Sequence, residues 1–525
     1  MKPGGSAAEH RSAFHLAIIV SLGGFVFGYD AVVISGVAQS VVRQFGLTDW
    51  QMGWIVAAPT LTAMFASLAA GHFSDRFGRR TMLRVVSALY ILSSILSALA
   101  PNFIGLLLAR GVGGLAFSSL VIAPVYLAEI SPSRIRGRVV SMNQLAIVLG
   151  LSAAYFSNLL IQTLSQSGFD WVVMVGMDRE SWRWMLGAEL LPAFLWFVAL
   201  MTMTPESPRW LILRGRIDEA KQVLARLFKP DHAAAVLDRV LTLGGETKQV
   251  FSLSALLTPR VKAALGFGLI VGIAQQITGV NAIYFYAPTV FQQTGIGSDA
   301  ALLQAVIVGL TNVVFTITAM LLVDRVGRKP LLLFGLGGVA ISLVTVALAF
   351  SHAVYALTPQ AVDSASEAVQ ALDLAVFYGQ EFSSDVALKT ALIEHLGADA
   401  FRMNQAELLS LSIHMNAGII LAGILLFVAS FAVSLGPVTW VFLSEIFPNS
   451  VRGTAIALVA FVNSLVSFTV QLVFPAELAA LGAMLTFLIY GLAAAFFFVL
   501  VALFLPETRG RTLEATEAGD TPARV

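Results

Sequence analysis

The chain has 525 residues, 57% of them hydrophobic and only 12% charged, about half the charged share of a soluble domain. Its 32 basic and 31 acidic side chains leave a net charge of +1, so no basic excess points to nucleic acid. With no cysteine, a disulfide framework, a thiol nucleophile and a cysteine metal site are excluded.

Several stretches exceed the roughly 20 apolar residues needed to cross a bilayer, and the chain reads as an all-α polytopic membrane protein. Residues 1–13 form an N-terminal tail. The first apolar run leads into Gly28-Tyr29-Asp30 and not a small-residue cleavage site, so it reads as a span and not a leader. Six spans fall near 14–37, 50–72, 81–100, 103–128, 138–162 and 183–203, making a first bundle over 14–203. A polar linker over 204–259 precedes six more, near 260–290, 300–323, 330–350, 411–442, 453–474 and 480–505. These make a second bundle over 260–505, and 506–525 is a C-terminal tail.

Basic clusters fall at Arg76/Arg79/Arg80, at Arg134/Arg136/Arg138, along 209–262, at Arg325/Arg328/Lys329 and at Arg509/Arg511. The alternate loops are poor in Lys and Arg, so both termini and the linker are expected on the cytoplasmic side. Within the linker, Asp218 to Phe228 puts Val223, Leu224, Leu227 and Phe228 on one stripe, and Ala233 to Leu243 repeats it. Both read as short amphipathic helices. The long external connection, 351–410, is rich in Ala and acidic residues. Helical turns are expected there, without a recognisable chemistry.

One stretch carries polar residues where hydrocarbon is expected. Gly272 to Pro288 contains Gln275, Gln276 and Asn281 inside an apolar run. Amides in a membrane helix must pair or face a cavity. On a straight helix Gln276 and Asn281 lie roughly 140° apart. They share a cavity only if the helix breaks at Gly279, ahead of Pro288. Broken helices that present amides at mid-membrane suit a solute site, while interhelical glue remains the alternative.

The chain also repeats itself. Asp75-Arg76-Phe77-Gly78-Arg79-Arg80 follows the second span, and Asp324-Arg325-Val326-Gly327-Arg328-Lys329 follows the eighth. Glu129 precedes Arg136 by seven residues, and Glu445 precedes Arg452 by seven. Pro205-Glu206-Ser207-Pro208-Arg209 and Pro506-Glu507-Thr508-Arg509 close the two sets of six. Topogenic charge explains the arginines but not the acids, which contribute little to orientation. A structured inner-face network of Asp75, Arg79, Arg80, Glu129, Arg136, Asp324, Arg328, Glu445 and Arg452 is therefore expected to act as a cytoplasmic gate.

With Phe27-Gly28-Tyr29-Asp30, PESPRW at 205–210, QQITGVNAIYFY at 275–286, GPVTW and SEIFP within 436–448, and PETRG at 506–510, the chain resembles the sugar porter branch of the major facilitator superfamily. The resemblance implies twelve transmembrane helices in two pseudo-twofold-related six-helix bundles, working by alternating access. It implies sugar ligands at Gln144 in helix five, Gln275, Gln276 and Asn281 in helix seven, Trp440 in helix ten and Asn463 in helix eleven. Amides match hydroxyls that both donate and accept, and an indole face suits the C–H face of a pyranose. Two positions depart from the common pattern: Ser464 stands where many members carry Trp, and Phe285-Tyr286 where Tyr-Tyr is usual. The pocket is reshaped there.

Asp30 and Arg110 are charges inside spans, which default to a functional reading with a named partner. A static ion pair that fixes helix packing is the alternative. Members with Asp at this position and Arg in helix four tend to be proton symporters, so the resemblance implies import of a hexose, pentose or polyol with a proton. An uncoupled facilitator is the nearest rival, and a non-transporting sugar sensor would need a larger signalling tail than the stretch after Pro506. No nucleophile–base pattern, phosphate loop or metal spacing points to an enzyme, and no cofactor is expected. The expected partners are a sugar, a proton and the lipid bilayer, with a monomer as the working unit. No Asn-X-Ser/Thr acceptor occurs in 351–410, which suits a bacterial inner membrane.

Overall fold

A computed structural model describes residues 7–131, 135–243, 258–448 and 451–509. The side chains of Arg136 and Asp324, both expected in the inner-face network, lie outside the described residues. So does most of the C-terminal tail.

Apolar runs of this length become helices because hydrocarbon offers the backbone no outside hydrogen-bond partner. The first set comprises α1 (Ala7–Phe45), α2 (Asp49–Phe77) and α3 (Arg79–Ala98). The fourth span is made of α4 (Phe103–Ala116) and α5 (Ser119–Ile130), and the fifth is α6 (Arg136–Ser165). After the short α7 (Asp170–Met174), α8 (Ser181–Gly187) and α9 (Leu190–Thr202) complete the sixth. The linker holds α10 (Pro208–Leu213), α11 (Ile217–Leu227) and α12 (Pro230–Leu243). Of the predicted stripe, Leu224, Leu227 and Phe228 are buried and Val223 is half-buried, and α11 also buries Ala220. Val236, Leu237 and Val240 of α12 join the same core, which contains Tyr126, Trp196 and Trp210.

The seventh span breaks into α13 (Pro259–Ile277) and α14 (Val280–Gln292), followed by α15 (Ser298–Val326) and α16 (Arg328–Ser351). The long connection after α16 then folds as a small body with α17 (Pro359–Asp363), α18 (Glu367–Gln370), α19 (Asp385–Leu396) and α20 (Ala398–Ser412). It also holds a three-stranded antiparallel sheet, β1 (Val354–Ala356), β2 (Glu381–Phe382) and β3 (Ile413–His414), in the order β2-β1-β3. Tyr355, Val362, Leu388, Phe401, Leu408 and Ile413 give it a core of its own. Strands of two or three residues carry no readable alternation, so only helical turns were legible there.

The tenth span is α21 (Ala417–Val433) and α22 (Leu435–Ile446). The last helical segment, α23 (Arg452–Phe504), runs for 53 residues, about 80 Å if straight against a hydrocarbon thickness of about 30 Å. Gly482, with φ 75° and ψ 170°, breaks it, so it supplies two passes. With ten other apolar helical segments long enough to cross, the described chain makes twelve spans.

By their contacts the residues form two compact units, one of 1–31, 58–154 and 186–251, the other of 32–57, 155–185 and 252–525. The cuts fall inside α1, α2 and α6 and within the sixth span. The second unit therefore includes the external ends of helices from the first set. There the Trp54 ring lies 5.7 Å from that of Phe468.

Candidate functional site

Helix seven breaks where its polar residues predict. Gly279 adopts φ 81° between α13 and α14, a left-handed conformation that favours glycine. A β-carbon there would also lie 3.2 Å from the Tyr490 ring. Tyr490 is itself held by its hydroxyl, which donates to Glu477 at 2.6 Å.

The break brings the amides together. Asn281 Nδ2 donates to Gln276 Oε1 at 2.9 Å and to Ser467 Oγ at 2.6 Å. Gln276 Nε2 donates to Asn463 Oδ1 at 3.1 Å. Asn463 Nδ2 donates to Gln275 Oε1 at 2.9 Å and to the Gly272 carbonyl at 2.7 Å. Gln275 Nε2 donates to the carbonyls of Leu435 at 2.8 Å and Gly436 at 3.3 Å. Burial separates the four: Gln275 and Asn463 are 5% and 6% exposed, whereas Gln276 and Asn281 are only half-buried. The inner two brace α13 against α22 and α23, as the glue reading holds. The outer two keep surface for another ligand.

Two prolines explain the layer external to this cluster. Proline lacks an N–H and so frees the carbonyl four residues earlier. Pro288 frees Tyr284, whose carbonyl accepts from Tyr155 Oη at 2.5 Å. Pro475 frees Gln471, whose carbonyl accepts from Tyr286 Oη at 3.2 Å. The tyrosine hydroxyl of Phe285-Tyr286 is thus committed to helix eleven.

Trp440 projects from α22 with 43% of its surface exposed, and Ser464 is half-buried one residue past Asn463. Gln144 is half-buried on α6, in the other compact unit.

In that unit Arg110 and Asp30 form a buried ion pair through Nη1, and Arg110 Nη2 donates to the Asp30 carbonyl at 3.1 Å. They are 2% and 0% exposed. Glu189, which precedes α9, is 2% exposed and within electrostatic reach of both. Sequence reasoning missed it. Asp30 Oδ2, Arg110 Nε and Glu189 Oε1 lack a hydrogen-bond partner among the described residues. Two buried acids thus lie in the field of one buried guanidinium.

The inner-face charges form one arrangement twice. In the first half, Arg79 Nε and Nη2 donate to Glu129 at 3.1 and 3.2 Å, and Nη1 to the Ser74 carbonyl. Ser207 Oγ donates to the same Glu129 at 2.6 Å. In the second, Arg328 Nε and Nη2 donate to Glu445 at 3.0 and 2.7 Å, and Nη1 to the Val323 carbonyl. Thr508 Oγ1 donates to that Glu445 at 2.6 Å.

Beside each pair a glutamate caps a helix start. Glu206 accepts from the backbone N–H of Arg80 at 3.0 Å, and Glu507 from those of Arg328 and Lys329 at 3.0 and 3.1 Å. Gly78 and Gly327, at φ 96° and 109°, turn the chain under these carboxylates, and a β-carbon on either would meet them. Burial pushes the Glu507 carboxyl up, but N–H donors from Arg509, Arg328, Lys329 and Thr508 outweigh it and hold the group below the usual range. Each network closes within its own six-helix half. Asp75 joins Arg79 at 2.8 Å, while Arg80 and Arg452 rest on the backbone carbonyls of Met201 and Phe447. Glu206, Ser207, Glu507 and Thr508 were not among the expected site residues, although the PES/PET repeat carries all four.

Comparisons with known proteins point to one family. A family described as Sugar (and other) transporter matches residues 16–377 and 396–519. The chain is 30% identical over 516 residues to the arabinose-proton symporter of Bacillus subtilis (strain 168), covering 97% of this chain and 96% of that one. It is 32% identical over 503 residues to the D-xylose transporter of Levilactobacillus brevis, covering 95% and 93%. An inward open structure of the xylose transporter XylE from E. coli superposes with a TM-score of 0.73 at 27% identity, covering 96% and 99%.

Proposed function

Since the chain belongs to the sugar transporter family of the major facilitator superfamily, whose members are transporters and not enzymes, we propose that it imports a monosaccharide with a proton by alternating access. The observation that carries the reading is the pair Gln276 and Asn281, joined across the Gly279 break and still half-buried. Their amides offer both donors and acceptors to sugar hydroxyls, with Gln144 and Trp440 as further ligands and Gln275 and Asn463 as braces. Relatives that carry arabinose or xylose with a proton support this class of substrate.

Asp30, Arg110 and Glu189 form the coupling site. A proton entering there relaxes the ion pair, and the first half then moves with sugar and proton aboard. A driving force of about 150 mV supplies roughly 3.5 kcal/mol per proton, enough for two to three decades of accumulation, by order of magnitude, at one-to-one stoichiometry. The paired inner networks make each half a stiff body, so movement is confined between halves. The chain works as a monomer in a bacterial inner membrane, with both termini and the linker cytoplasmic, as the Lys and Arg placement supports.

Proteoliposome uptake of D-xylose, L-arabinose and D-glucose, with and without an inward proton gradient, tests the reading. Gradient-driven accumulation of one of them is expected. Movement of sugar only down its own gradient at every pH would leave an uncoupled facilitator, with Asp30–Arg110 a strut.

A further inference from the structure

The break in helix seven is backed by two residues that lie on either side of a second break. Glu477 stands five residues before Gly482 and Tyr490 eight after it, on the two passes of α23. Tyr490 Oη donates to Glu477 Oε2 at 2.6 Å, a length typical of a hydroxyl on a carboxylate. From this arrangement we infer that Glu477 and Tyr490 are positioning residues. They fix the bend of helix seven and so hold Gln276 and Asn281 together for the sugar. The inference rests on the sugar-transport reading and extends it beyond the amide cluster, within one compact unit.

The buried Tyr490 ring seats on Gly279. Its Cγ, Cδ1 and Cδ2 would lie 3.2, 3.4 and 3.4 Å from a β-carbon built there. Glycine has the widest backbone freedom, and a ring packed on it narrows that freedom to one bend. The Tyr490 centroid lies 6.3 Å from that of Phe474, which lies 5.1 Å from that of Tyr286. Tyr286, with φ −120° and ψ 16°, is the non-helical residue inside α14. The row Tyr490, Phe474, Tyr286 therefore meets helix seven at both of its departures from helical geometry. Asn281 lies between them in the chain.

Glu477 supplies what packing alone does not. A ring held only by its neighbours can leave a glycine by changing rotamer. A hydroxyl anchored on a carboxylate leaves only by breaking a charge-assisted bond. The consequence for the sugar ligands is geometric. On an unbroken helix Gln276 and Asn281 would lie roughly 140° apart, yet Asn281 Nδ2 donates to Gln276 Oε1 at 2.9 Å. Any relaxation at Gly279 is carried directly into the spacing of these two amides.

The test reads the bend and the sugar separately, on the full chain in phospholipid nanodiscs. For the bend, Ala263→Cys in α13 and Thr289→Cys in α14 carry spin labels in a chain with no cysteine of its own, and pulsed EPR gives the distance distribution between them. Tyr490→Phe keeps the ring and Glu477→Leu removes the acceptor; each should broaden the distribution. Glu477→Gln keeps an acceptor and should restore the parent's width. For the sugar, equilibrium binding of radiolabelled D-xylose, L-arabinose and D-glucose is measured without labels. Tyr490→Phe and Glu477→Leu should each raise Kd by about 3–10-fold, the worth of one hydrogen bond, and Glu477→Gln should recover most of the loss. Asn281→Ala should cost less in the Tyr490→Phe background than in the parent, whereas independent sites would add. A distribution of parent width in both Tyr490→Phe and Glu477→Leu overturns the inference while transport stands. Fully additive losses beside a broadened distribution also overturn it, because the pair then steadies the fold without placing the amides. A parent that binds none of the three sugars overturns the proposed function and the sugar role of this pair, and the distance distribution then upholds or overturns its hold on the bend.

Discussion

Tyr155 donates its hydroxyl to the backbone carbonyl of Tyr284 at 2.5 Å, tying the fifth span to the broken seventh just external to the amide cluster. The bond exists because Pro288 leaves that carbonyl without its helical partner. Both side chains are buried. Tyr155→Phe keeps the ring and removes the donor, leaving a buried carbonyl unpaired at a cost of about 1–3 kcal/mol. The closed outer end should lose population by roughly five- to 150-fold against an opened one. A cysteine pair introduced across the external mouth, in a chain with no cysteine of its own, should crosslink more slowly in the variant. Equal crosslinking rates would mean that the bond does not contribute to closure.

The amide cluster predicts two kinds of variant. Gln276→Ala and Asn281→Ala should weaken sugar binding by about 1–3 kcal/mol, roughly five- to 150-fold in Kd, with little change in melting temperature. Gln275→Ala and Asn463→Ala remove buried braces that bond the backbone of Gly272 and of Leu435. They should lower the melting temperature as well as affinity. Binding isotherms and melting curves for the four variants separate the roles. Unchanged affinity in Gln276→Ala and Asn281→Ala would return helix seven to a purely structural part.

At the inner end the sign of the pH effect follows from Glu507. Its carboxyl is held below the ordinary range by four backbone donors. A depressed folded-state pKa means stability that is fully present above the unfolded value and is lost as pH falls through the folded one. Melting temperature measured from neutral pH downward should therefore drop in the acid range, and Glu507→Gln should flatten part of that drop. Glu445→Gln should destabilise at neutral pH, because Arg328 loses its counter-charge and an amide NH2 replaces one of the two oxygens that accept from Arg328 and Thr508. A parent and Glu507→Gln with parallel profiles would remove the cap from the account of acid sensitivity.

What was legible in the chain was whatever broke a local pattern. Amides in an apolar run, with Gly279 between them, announced the helix break and its polar residues. The repeated DRFGRR and DRVGRK segments announced two halves. Partners that come from tertiary packing left weaker marks. Glu189 lies inside the sixth span as a lone acid, and its electrostatic partners Asp30 and Arg110 come from distant spans. Ser207 and Thr508 follow an acid in both repeats, a signal that was present, but their acceptors lie 78 and 63 residues away. The proline-freed carbonyls of Tyr284 and Gln471 follow from a four-residue count, whereas the tyrosines that fill them do not.

On the proposed reading, coupling turns on Asp30. Its carboxylate pairs with Arg110 in a site where both are almost wholly enclosed, and Glu189 is a second buried acid within electrostatic reach of both. An ion pair cut off from water is held strongly and is broken only at a large cost. Protonation of Asp30 removes one charge, so the pair loosens without leaving a carboxylate stranded. Asp30→Asn imitates that state permanently. The variant should bind sugar within a few-fold of the parent and exchange it across the membrane, yet fail to accumulate it against a gradient. Glu189→Gln, which leaves the ion pair in place, should shift the pH dependence of accumulation and leave exchange intact. The measurement is sugar-induced alkalinisation outside energy-depleted vesicles, in parent and both variants. Alkalinisation in the parent, its loss in Asp30→Asn and its displacement along the pH axis in Glu189→Gln are the expected results. A parent that moves sugar with no alkalinisation at any pH would reduce all three residues to a packing device.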